Sequence, residues 1–156
     1  MQNKSFEIIF NIVNIICKIF LVLQVIIVSW VVFGRYVLSK TPPWGDEAAL
    51  FCMVWFSLMS APLAIRDDSH IKLVLINKYI SEDKLKHLDN IIYIIILGFS
   101  VFMIIAGTKL TILTSTNVMP GMRIRSSWIY LVIPATGTVI RLSVIEKLLQ
   151  KNRRLI

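Results

Sequence analysis

Residues 91–108 read IIYIIILGFSVFMIIAGT, eighteen positions without a charge, and Lys109 follows them. A helix that crosses a bilayer needs about 20 mostly apolar residues, because the hydrocarbon core is about 30 Å thick. It also satisfies its own backbone N–H and C=O groups, which hydrocarbon cannot do. The stretch therefore predicts a transmembrane helix over about 90–110.

Outward from it, residues 48–65 are also uncharged and lie between Asp46, Glu47 and Arg66. They predict a span over about 47–66, with the acidic pair at the positive end of the helix dipole and a kink at Pro62. Residues 6–38 form an apolar stretch longer than one crossing needs. In its first half Lys4, Asn11, Asn14 and Lys18 share one helical face. Residues 2–17 read as an amphipathic lead-in near the interface, and the span proper lies between Lys18 and Arg35, inside a helix over about 12–36. Trp30 and Tyr36 fit an aromatic belt, as do Trp128 and Tyr130 at the start of a last span over about 128–149. Between the second and third spans, residues 66–90 mix apolar and charged positions and predict an interfacial helix over about 69–80. The expected fold is a single all-α transmembrane domain over 1–156, with four transmembrane helices plus that interfacial amphipathic helix. The first helix reads as a retained signal anchor, since its charged n-region is weak and its apolar run too long for a cleaved leader.

Composition agrees. The 156 residues are 56% hydrophobic and 17% charged, with a mean hydropathy of +0.75, where soluble domains run about 45–50% and about 25%. Four spans of about 20 residues leave no room for a separate soluble domain. The net charge of +8 lies beside and between apolar runs, so it reads as topology-setting charge and not as a nucleic-acid footprint. With both termini and the loop after the second span on one side, that side holds twelve basic residues against five. The positive-inside rule then places both termini in the cytoplasm.

Chemistry is harder to find. Lys18 and Arg141 are the deepest charges; Arg141 can snorkel or pair with Asp67, Asp68 or Glu146. Asp46 and Glu47, beside Arg35, read as a capped, ion-paired turn. His70 and His87 lie outside the spans, which excludes a haem subunit with intramembrane histidine ligands. Cys17 and Cys52 each sit within an apolar run and read as small hydrophobes, with none of the pairing a thiol oxidase needs. No acidic residue lies mid-span, as a small multidrug exchanger requires, and no glycine-rich phosphate loop precedes a helix. Broken helices with polar backbone at the midplane, the usual transporter device, are not evident either. The expectation is a subunit that packs against something larger. The alternatives are an autonomous homo-oligomeric transporter and an intramembrane enzyme or redox subunit.

Several motifs then fall into a familiar order. Phe33-Gly34-Arg35-Tyr36 closes the first span, and Trp44-Gly45-Asp46-Glu47-Ala48 opens the second. Trp55, the small residues at 61–64, Arg66 and His70-Ile71 follow. Later come Met119-Pro120-Gly121-Met122-Arg123-Ile124, Trp128-x-Tyr130 and Ile133-Pro134-x-x-Gly137. Over roughly residues 30–140 this resembles the small membrane subunit, DctQ type, of tripartite ATP-independent periplasmic (TRAP) transporters. The sequence departs from the family pattern at Ser60, often glycine there, and at Arg125, often proline.

The resemblance implies a non-enzymatic scaffold in the bacterial inner membrane. It would brace a large elevator subunit that carries the substrate and sodium sites, and a periplasmic binding protein would deliver an organic acid such as sialic acid or a C4-dicarboxylate. No cofactor is expected in this chain. Its partners would be the large subunit, the binding protein and membrane lipids, with no nucleic acid. By position, Arg35, Trp44, Asp46 and Glu47 form a candidate outer-face cluster, with Arg123 in the later loop and Trp128 at the belt. Arg66 and His70 are expected to fix the turn into the interfacial helix, while Pro134 and Gly137 offer a small-residue packing surface.

Overall fold

The structure, a computed structural model, describes residues 4–67 and 82–153, with side chains at 6–66 and 91–148. The interfacial helix expected over 69–80, and His70 with it, lie outside the described residues. The helices are α1 (Lys4–Tyr36), α2 (Gly45–Asp67), α3 (Glu82–Leu113), α4 (Ser127–Tyr130) and α5 (Val132–Arg153). Among the described residues, four spans are long and apolar enough to cross a membrane: Phe6–Tyr36, Gly45–Arg66, Ile91–Leu113 and Ser127–Leu148. This is a multi-pass, all-α membrane protein.

Two helices depart from the expected bounds for identifiable reasons. The lead-in and the first span are one continuous helix, α1. Phe10, Val13 and Cys17 are buried, so one side of the lead-in, flanking its polar residues, packs on the protein. That packing continues the helix where the polar stripe alone would predict an interfacial segment. The last span is interrupted at Leu131. Pro134 lacks the N–H that would reach the Tyr130 carbonyl, so α4 stops there. Pro134 then falls in the first turn of α5, where no intrahelical N–H is required. By contrast α2 runs on through Pro62 to Asp67.

The four spans pack in the order α1, α2, α5, α3, so α2 and α5 are central and α1 and α3 form the two edges. Burial follows that order: within an 18-residue apolar stretch of each span, 11% of residues are buried in α1 and 17% in α3, against 22% in α2 and 39% in the last span. Large apolar side chains accordingly stand exposed along both edges, Ile12, Ile19, Val25 and Ile26 on α1, and Ile94, Ile95, Phe102 and Ile105 on α3. A closed bundle would turn one face of each helix inward. This open row leaves both edges for lipid or a partner.

Small residues set the close contacts. A Cβ on Gly107 of α3 would lie 2.7 Å from Pro134 Cδ, and one on Gly137 of α5 would lie 2.9 Å from the Ser100 carbonyl oxygen. The small surface around Pro134 and Gly137 is thus used within the chain, against α3. On the other side Phe20 of α1 stacks on Trp55 of α2 with ring centroids 5.4 Å apart. The innermost cluster joins Val13 and Cys17 of α1, Met59 of α2 and Val132 of α5.

Candidate functional site

The charged side chains that the fold holds in place gather at the two ends of the row. At the loop end, where α1 joins α2 and α3 joins α4, Glu47 stands in the first turn of α2. Its carboxylate accepts the backbone N–H of Gly121 at 3.0 Å and that of Met122 at 2.8 Å. Two successive backbone N–H groups on one anion form a nest, held here by the carboxylate in place of a ligand.

The loop is shaped for this contact. Val118 and Arg125 form an antiparallel bridge, and Met119 N–H donates to the Ile124 carbonyl at 2.9 Å. Arg123 takes φ of 55°, and its N–H closes the turn on the Met119 carbonyl at 2.8 Å. Gly121 is required by close approach, since a Cβ there would strike the Pro43 carbonyl and come within 2.9 Å of Glu47 Oε2.

Arg35 behaves differently from what the sequence position implies. It meets Asp46 at 3.9 Å, with side chains 56% and 75% exposed, while Glu47 is committed to the other loop. Such an exposed pair is worth about 0–1 kcal/mol. Trp44 is exposed beside it, and its carbonyl accepts the Ala48 N–H that opens α2. Trp128 is exposed as a belt residue, and its carbonyl accepts the indole N–H of Trp55 at 3.1 Å. The expected cluster of Arg35, Trp44 and Glu47 is therefore two structures: a surface pair at the α1–α2 turn and a half-buried tie from the first turn of α2 to the loop after α3. The Arg123 side chain is exposed.

At the terminal end, where α1 begins and α5 ends, Arg66 is clamped from two sides. Its Nε lies 3.3 Å from Glu146 Oε2, and its guanidinium sits 4.4 Å above the Phe10 ring. The Glu146 side chain is 5% exposed, so this is a largely desolvated ion pair with cation–π support from α1. The Lys147 ammonium donates to the Ile65 carbonyl, and Ser143 Oγ donates to the Pro62 carbonyl at 3.3 Å. Ser143, Glu146 and Lys147 stand at i, i+3 and i+4, one face of α5, and together grip the last turn of α2.

This grip was not anticipated. Glu146 was open to Arg141, but Arg66 takes it, and Arg141 is exposed. The signal available in the sequence was that spacing of three polar residues on an otherwise apolar helix. Among the described residues, no three His, Cys, Asp or Glu side chains gather as a metal site, and Cys17 and Cys52 are free and buried.

The geometry thus supplies ties and anchors at both ends of a membrane layer. None of the curated proteins compared with the chain matches it. The family model described as "Tripartite ATP-independent periplasmic transporters, DctQ component" matches residues 24–154, which takes in the C-terminal part of α1 and all of α2, α3, α4 and α5. The chain belongs to the DctQ component family of tripartite ATP-independent periplasmic transporters.

Proposed function

We propose that this chain is the static small subunit of a sodium-coupled TRAP transporter and braces the large elevator subunit without binding substrate itself. The observation that carries this is the open row of spans, with both edge helices exposed. A row is wider than a bundle of the same four helices, and width is what a fixed frame for a moving domain needs. The Glu47 tie and the Arg66–Glu146 pair lock the row at its two ends, which suits a part that stays still.

In this reading the chain sits in the bacterial inner membrane with both termini in the cytoplasm, as the twelve-to-five charge bias favours. The loop end then faces the periplasm, and Arg35, Trp44, Asp46 and the 119–123 turn offer a surface to the binding protein. Sodium and the organic acid, a C4-dicarboxylate or sialic acid, are carried by the large subunit in a heterodimer with this chain.

The test is co-purification. The tagged chain, extracted in mild detergent from its native host, is expected to bring a large polytopic protein through gel filtration. Recovery of this chain alone as a discrete oligomer would overturn the reading in favour of autonomous transport.

A further inference from the structure

We draw no further inference here: the strongest candidate, the surface patch of exposed cations Lys40, Arg123 and Arg125 at the loop end of the row, carries nothing, because it belongs to the face already proposed for the binding protein and nothing in the structure shows what covers it.

Discussion

Glu47 and Gly121 meet across 74 residues of sequence: the carboxylate at the start of α2 accepts the glycine N–H at 3.0 Å, with Met122 beside it at 2.8 Å. The contact explains why an acidic residue follows Trp44 by three positions and why a glycine follows Pro120. One supplies the anion and the other the only side chain small enough to let two backbone amides reach it.

Removing this tie should loosen the loop end specifically. Hydrogen bonds to a charged group are worth about 1.5–3 kcal/mol each when desolvated. The two here are only half-buried and so worth less, which puts the expected cost of Glu47→Ala at about 2–4 kcal/mol. Glu47→Gln, which keeps one acceptor oxygen, should cost less. Amide hydrogen exchange over residues 119–124 is the readout, with faster exchange there and little change around Arg66. Gly121→Ala should reproduce the effect with the carboxylate still present, because the new methyl would meet the Pro43 carbonyl.

The Arg66–Glu146 pair predicts a different pattern. Arg66→Leu leaves a nearly buried carboxylate and is expected to cost about 3–5 kcal/mol. The double variant Arg66→Leu with Glu146→Leu should recover much of that loss, since no charge is stranded. A double-mutant cycle on thermal unfolding in detergent measures the coupling, and simple additivity would show that the two residues do not depend on each other.

Three glycines separate contact from mere helix composition. Gly137→Leu and Gly107→Leu push side chains into the α3–α5 contact and should each cost about 1–3 kcal/mol. Gly98 has nothing within 4 Å of a Cβ placed on it, so Gly98→Leu should stay within about 0.5 kcal/mol of the parent. Equal losses at all three positions would contradict the packing described for α3 and α5.

Trp55 carries both a stack and a hydrogen bond. Trp55→Phe keeps an aromatic ring near Phe20 but removes the N–H that reaches the Trp128 carbonyl. A cost of about 0.5–1.5 kcal/mol is expected in thermal unfolding.

The spans were legible because each is an apolar run closed by charges or belt aromatics, as with residues 91–108 before Lys109. The continuity of α1 was not, because its first half has two faces. Asn11, Asn14 and Lys18 signal an interface, whereas Phe10, Val13 and Cys17 bind it to the protein, and only packing shows that the second face prevails. The break at Leu131 was written in Pro134 but masked by continuous hydropathy through both short and long helices.

Within the site, Glu47 was visible as important while its partner was not. Its donors are backbone N–H groups, and backbone donors carry no residue-type signal. The choice of Arg66 over Arg141 for Glu146 depended on helix face. Arg141 is five residues before Glu146, and an i,i+5 pair points to different sides of a helix, whereas Arg66 comes from the neighbouring α2.

The most direct test of the scaffold role is uptake by proteoliposomes with the periplasmic binding protein and an imposed sodium gradient. Vesicles with this chain and the large subunit together are expected to accumulate the organic acid, and vesicles with this chain alone are expected to accumulate none. Sodium-driven uptake by this chain alone would contradict a bracing role and make it a transporter in its own right.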